Sequence, residues 1–321
     1  MIKYIYKIAK SNNPNLFYFK ALLILAILFV VYYLYKLSAP PKEKQEGFLQ
    51  DAPFILKQNM DIYDEFYTEV YDGITEREKT CQNELYEIVK MTEPDTKNSV
   101  FLDVGSGTGC ILNELVDAGY NAYGIDKSET MAEFSEIKYP NLKVVNEDVL
   151  DSMVFEKGIF THVLCTNFTI YEIKEKDIFF RNCYNWMKPN AYLIIHLVDR
   201  EKFNAKTFKD SVMGLTSAFK LLYSPVKDNK RQLKTNVEFM DFKYESEYIL
   251  QQGSPNVVFK ETFVDKETDN IRQNENTLYM QKIEEILAIA NKCGFIVHGK
   301  SNMKACTGDQ NQYLYVLERT M

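Results

Sequence analysis

The chain has 321 residues, 46% hydrophobic and 26% charged, enough for one substantial core and an accessory piece. A formal net charge of −7 excludes a general affinity for nucleic-acid backbones, so no nucleic-acid partner is expected. Six scattered cysteines, without C-x-x-C pairs or His partners at ligand spacing, exclude a structural metal module and favour a reduced, intracellular domain over a disulfide scaffold.

A short basic tail, 1–15, leads into an apolar run at 16–35 that is interrupted only by Lys20. A bilayer core takes about 20 apolar residues, so a transmembrane helix is expected over 16–37, with Tyr18, Tyr32, Tyr33 and Tyr35 near its interfaces. A cleaved signal peptide is the main rival, because Lys3, Lys7 and Lys10 form a basic leader. Against it, Ser38-Ala39-Pro40-Pro41 is a poor cleavage site and the run exceeds a usual signal core, which favours an uncleaved single-pass anchor. Lysines flank the run on both sides (Lys36, Lys42 and Lys44 follow it), so charge does not set the orientation. Residues 38–58, with Pro40, Pro41 and mixed charges, read as a tether.

From position 59 to 321, apolar runs alternate with helical patterns, as a parallel sheet requires. Amphipathic helices are predicted over 61–89. Strands follow at 99–104, 121–126, 142–146, 162–166 and 191–197, separated by helices at 109–118, 128–137 and 178–187. A helix at 283–292 precedes two last strands at 295–297 and 313–317. Between 199 and 280 this order is broken by period-two segments at 237–250, 256–263 and 276–280, with turns between them. They predict an antiparallel β insertion at the carboxyl edge of strand five, placed as a lid or substrate wall.

The stretch Phe101-Leu102-Asp103-Val104-Gly105-Ser106-Gly107-Thr108-Gly109-Cys110 ends the first strand in an acid and opens a helix through three alternate glycines. Asp126 closes the second strand. Glycines let backbone approach a ligand and a strand-end carboxylate takes ribose hydroxyls, so the pattern points to an adenosine-containing ligand on a doubly wound domain. The spacing D-x-G-x-G-x-G differs from the G-x-G-x-x-G of nicotinamide-dependent enzymes. Later carboxyl ends contribute Asp148-Val149 and Thr166-Asn167-Phe168.

The glycine stretch resembles motif I of the class I S-adenosylmethionine-dependent methyltransferases, and the likeness runs over roughly 59–319. It implies an α/β, Rossmann-like fold with a mostly parallel seven-stranded sheet, and S-adenosyl-L-methionine as cofactor. By this resemblance Gly105, Gly107 and Gly109 would face the methionine part and the ribose, and Asp103 would anchor the methionyl amine. Asp126 would accept from both ribose hydroxyls. Met131, in a D-x-S-x-x-M run that begins at Asp126, would pack on adenine. Asp148 and the Val149 backbone would hold the adenine amino group, with Thr166 completing the cofactor site. The turn Lys188-Pro189-Asn190 replaces the family's K-P-G, and Asn190 can take the left-handed conformation almost as glycine does. The run Tyr63-Asp64-Glu65-Phe66-Tyr67 with Tyr71-Asp72 resembles the aromatic helix of small-molecule members, and the insertion resembles that of amino-sugar and related N-methyltransferases.

Methyl transfer from a sulfonium is an in-line displacement with an already activated donor, so alignment and exclusion of water outweigh any universal catalytic group. Tyr171 and His196 are the catalytic candidates, and Tyr67, Phe168 and Tyr171 the candidates for the acceptor pocket. The expected function is a membrane-tethered methyltransferase acting on a small-molecule or side-chain N/O acceptor, its domain in the cytosol where the methyl donor is made. The rival is a non-catalytic S-adenosylmethionine-binding scaffold anchored to a membrane, which the intact Asp103, glycines, Asp126 and Asp148 disfavour. Glycine spacing disfavours a nicotinamide or nucleotide-sugar enzyme.

Overall fold

The computed structural model describes residues 25, 26, 28–31, 50, 52–205, 231 and 233–321. The chain divides into two compact units, Met1–Glu46 and Gly47–Met321. In the first, residues 25, 26 and 28–31 are helical and exposed. The rest of the expected span at 16–37, the tail before it and most of the tether lie outside the described residues. Among the described residues, no helix is long and apolar enough to cross a membrane.

The second unit carries strand β1 (Phe54–Gln58), within the expected tether, then helices α1 (Glu65–Thr75) and α2 (Arg77–Thr92). The alternating region follows: β2 (Val100–Val104), α3 (Cys110–Asp117), β3 (Asn121–Asp126), α4 (Glu129–Lys138), β4 (Val144–Asn146), β5 (Phe160–Cys165), α5 (Thr169–Glu172), α6 (Lys176–Trp186) and β6 (Met187–Val198). Strands β7 (Lys234–Glu238), β8 (Phe242–Leu250), β9 (Asn256–Asp265) and β10 (Ile271–Tyr279) precede α7 (Ile283–Lys292), β11 (Phe295–Asn302), α8 (Lys304–Thr307) and β12 (Gln312–Arg319).

Seven strands form a mixed sheet in the order β11-β12-β6-β5-β2-β3-β4. The five from β6 to β4 are parallel, and β12 and β11 add antiparallel at one edge. Period-two alternation explains its burial on both faces. Phe101, Leu164, Ile194 and Leu314 join the cluster under α2 and α3, whereas Leu102, Val163, Leu193 and Tyr315 join the cluster under α6 and α7. From β2 the chain runs outward through β3 to β4, then returns to β2's other side at β5. The carboxyl ends of β2 and β5 therefore border a topological switch point, the usual ligand crevice of such sheets.

The expected insertion forms a second sheet, ordered β1-β10-β9-β8-β7 and antiparallel except for β1, which pairs parallel with β10. The single strand expected over 237–250 is two, because the backbone turns tightly, with Phe239 N–H donating to Phe242 O at 2.9 Å. Phe66, Tyr67 and Val70 of α1 pack against Phe242, Tyr244 and Phe263 of this sheet. Arg272 fixes the junction: its guanidinium bonds both Asp64 oxygens at 2.8 and 2.9 Å and Ile62 O at 2.9 Å. Asp64 in turn caps α1 by accepting from Tyr67 N–H. Cys81 of α2 and Cys110 of α3 are joined as a disulfide, which corrects the expectation of a fully reduced domain. Their separation of 29 residues follows no recognisable spacing.

Candidate active site

The glycine loop is held against the end of β3 by Gly105 N–H and Ser106 N–H, both donating to Ile125 O at 2.8 and 3.3 Å. Gly105 has φ +64°, and a Cβ there would stand 2.5 Å from Thr169 Cγ2, so only glycine lets the loop sit against α5. Gly107 differs: a Cβ there would meet nothing within 4 Å, because this residue borders open space. Thr108 Oγ1 donates to Asp72 at 2.6 Å, and Lys138 pairs with the same carboxylate at 2.7 Å, tying the loop and α4 to the end of α1.

That open space is a cavity of about 370 Å³, lined among others by Gly105, Gly107, Asp126, Met131, Asp148 and Val149. Asp126 is oriented by Gly107 N–H, which donates to one carboxylate oxygen at 2.7 Å, and Ser128 N–H, which donates to the other at 2.9 Å. Each oxygen keeps acceptor capacity for a pair of vicinal hydroxyls. Burial raises the Asp126 pKa above its ordinary value despite both amide donors. Ser128 caps α4 through Met131 N–H, which seats the buried Met131 at the wall. At the far end, Lys127 pairs with Asp148 at 2.7 Å and Leu150 N–H donates to it at 2.9 Å. Partial burial pulls the Asp148 pKa up, but these two donors outweigh it and hold the carboxyl low. The donors, the oriented acid and the apolar wall fit an adenosine-bearing group.

A second cavity of about 140 Å³ adjoins the first, between α1, α5 and the five-stranded sheet. Tyr63, Tyr71, Asn167, Glu172 and Asn276 line both, so they form the common boundary. Tyr63 Oη donates to Glu172 at 2.9 Å, and Asn167 Nδ2 donates to Tyr71 Oη at 2.8 Å. Deeper in, Tyr244 Oη donates to Glu261 at 2.7 Å. Glu172 is itself exposed where the two cavities meet. The protein packed around its carboxyl, with repulsion from Asp126 and Glu261, lifts its pKa to about 7 despite the Tyr63 bond.

Of the residues expected at the cofactor site, Gly105, Gly107, Asp126, Met131, Asp148 and Val149 line the larger cavity. Asp103, Gly109 and Thr166 line neither cavity. Asp103 is buried at the end of β2, where burial lifts its carboxyl to about 7; Arg77 of α2 counters that rise, while Glu84 and Asp126 add to it. Gly109 caps α3 with φ +81°. Tyr67, Phe168 and His196 line the smaller cavity. Tyr171 is fully buried away from both cavities, and its hydroxyl accepts from Val198 N–H at 2.8 Å. Neither ring nitrogen of His196 meets a hydrogen-bond partner of acceptable geometry, and burial lowers its pKa to about 4, so the ring is neutral at pH 7. Sequence reasoning missed Glu172 and Glu261. The available signal for Glu172 was its place directly after the aromatic run that leaves the fourth parallel strand.

Residues 102–195 match the family described as Methyltransferase domain. An uncharacterized methyltransferase of Anoxybacillus flavithermus is 30% identical over 88 residues, 27% of this chain and 36% of that protein. The chain spans between 36% and 48% of the length of the curated relatives it matches. Among solved structures, the CcbJ methyltransferase of Streptomyces caelestis superposes with a TM-score of 0.59 at 14% identity, covering 81% of this chain and 98% of that one. The sugar N-methyltransferase KedS8 of a Streptoalloteichus species gives a TM-score of 0.55 at 17% identity, over 80% and 94%. At these identities the structural likeness establishes the Rossmann-like fold, and the match to the methyltransferase family runs across the glycine loop, β5 and most of β6.

Proposed function

We propose that this protein is an S-adenosylmethionine-dependent methyltransferase, with the cofactor in the larger cavity and a small-molecule acceptor in the smaller one. The observation that carries the reading is Asp126, locked by Gly107 and Ser128 at the head of a cavity that opens directly onto a second, aromatic one. When bound, the cofactor supplies a methyl group already activated by a cationic sulfur. The chain's own residues do the rest. Asp126 receives the ribose hydroxyls, Met131 packs beside the base, and the Asp148 end closes the far side. Tyr63, Tyr67, Tyr71, Phe168 and Tyr248 wall the acceptor side and keep water from the reacting atoms. Membrane tethering through 16–37 belongs to this reading and rests on the apolar run alone.

Calorimetry with S-adenosylhomocysteine and NAD tests the cofactor. The first should bind and the second should not. Asp126→Ala removes the charged acceptor and should weaken binding by about 1.5–3 kcal/mol. Unchanged affinity in that variant refutes the ribose assignment, and tight NAD binding refutes the family. Incubating the protein with labelled methyl donor and a metabolite mixture then separates an enzyme from a binding scaffold.

A further inference from the structure

We propose that the acceptor is an amine that enters the smaller cavity as an ammonium cation, and that Glu172 binds this cation and takes its proton. The inference rests on the methyltransferase reading above and deepens it. Three carboxylates line that cavity, Glu84, Glu172 and Glu261, and no Lys or Arg lines it. Two of the three are balanced from behind. Arg77 pairs with Glu84 at 3.1 Å, and Arg272 acts electrostatically on Glu261. Among the described residues, no ion pair engages Glu172; its bonded partner is the Tyr63 hydroxyl, a neutral donor. Burial and the negative neighbours keep Tyr63 a phenol.

A carboxylate that faces both cavities with no cation paired to it offers a charge-assisted contact to a ligand cation. The walls point the same way. Tyr67, Tyr71, Tyr244 and Tyr248 line the cavity beside Glu172, and aromatic faces attract ammonium groups through their quadrupoles. Position fixes the role: Glu172 borders both cavities, so a nitrogen held there lies at the passage the methyl group crosses. A protonated nitrogen has no free lone pair. Transfer of one proton to a Glu172 oxygen frees that pair, which forms the N–C bond as the donor's S–C bond breaks. The electrons of the broken bond stay on sulfur as a thioether, and the proton leaves Glu172 for solvent. Tyr63, Tyr71, Asp126, Cys165, Tyr248 and Glu261 act electrostatically on Glu172, and none is a cation. The cations Lys127 and Lys174 line the larger cavity, where Lys127 is paired with Asp148.

The test uses benzylamine and its neutral counterpart benzyl alcohol as probes, titrated into the full chain saturated with S-adenosylhomocysteine. That thioether carries no sulfonium charge, so attraction between Glu172 and the donor's sulfur does not enter. Benzylamine should bind about tenfold or more tighter than the alcohol, and Glu172→Gln should remove that preference. The same variant should keep the circular-dichroism spectrum of the wild type, which shows that it folds. Equal binding of the two probes to the wild type overturns the proposal, and this comparison stands even where the variant does not fold. A preference that survives Glu172→Gln also overturns it. Failure of S-adenosylhomocysteine itself to bind refutes the methyltransferase reading instead.

Discussion

Position 105 shows how one atom constrains the site. Its φ of +64° and the 2.5 Å approach of Thr169 Cγ2 act against any side chain independently. Gly105→Ala should therefore cost about 1–3 kcal/mol of stability, and Thr169→Ala in the same chain should return part of that loss, because the φ penalty remains. Urea denaturation of the two single variants and the double variant checks this. Additive losses would show that the Thr169 contact carries nothing. Gly105 and Asp126 were legible in the sequence because the loop and the acid it bonds lie within one strand–helix–strand unit. Glu172 was not, because its partner Tyr63 lies 109 positions away and no local spacing records that pairing.

At the scale of elements, α5 divides two adjacent side chains between separate tasks. Neighbours on a helix diverge by about 100°, so Tyr171 enters the core while Glu172 reaches the cavities. The Tyr171 hydroxyl accepts from Val198 N–H at the end of β6 and so braces the strand that carries His196. Tyr171→Phe leaves that buried amide without an acceptor and should cost about 1–3 kcal/mol of stability, with turnover close to the wild type. A large loss of turnover at unchanged stability would restore the catalytic role expected from the sequence. Most core strands were readable from their apolar runs and terminal acids, which are local signals. The pairing of β1 with β10 joins Phe54 to Ile271, and no periodicity within either segment announces it. The site's roof therefore remained a general insertion until the sheet was assembled.

Across the whole molecule, buried ionisable groups should make stability depend on pH with a sign that can be stated. Lys176 is almost completely buried at the start of α6, and its Nζ donates to Ile173 O at 2.7 Å and Tyr279 O at 3.0 Å. A neutral amine has the two N–H bonds this geometry uses, so loss of the charge sacrifices neither contact. Desolvation brings its pKa from 10.5 down to about 7. Between those values the unfolded chain holds a proton that the folded protein has released. Stability should then rise with pH across that window, by at most about 1.4 kcal/mol per unit. Below pH 7 both states are protonated and this contribution is flat at its least favourable. There Asp103 and Glu172, raised to about 7, make stability fall as pH climbs, while His162 and His196, lowered to about 4, make it rise. The acids overlap the lower end of the Lys176 window. At its upper end the buried Cys165 and Cys183 thiols, held above their ordinary value by burial, make stability fall as pH climbs, so the Lys176 contribution is read as a difference from Lys176→Met. The gap in urea midpoint between the wild type and that variant should shift in favour of the wild type from pH 7 to 9. A gap that stays level over that interval would show that the charge of Lys176 is not what the fold excludes.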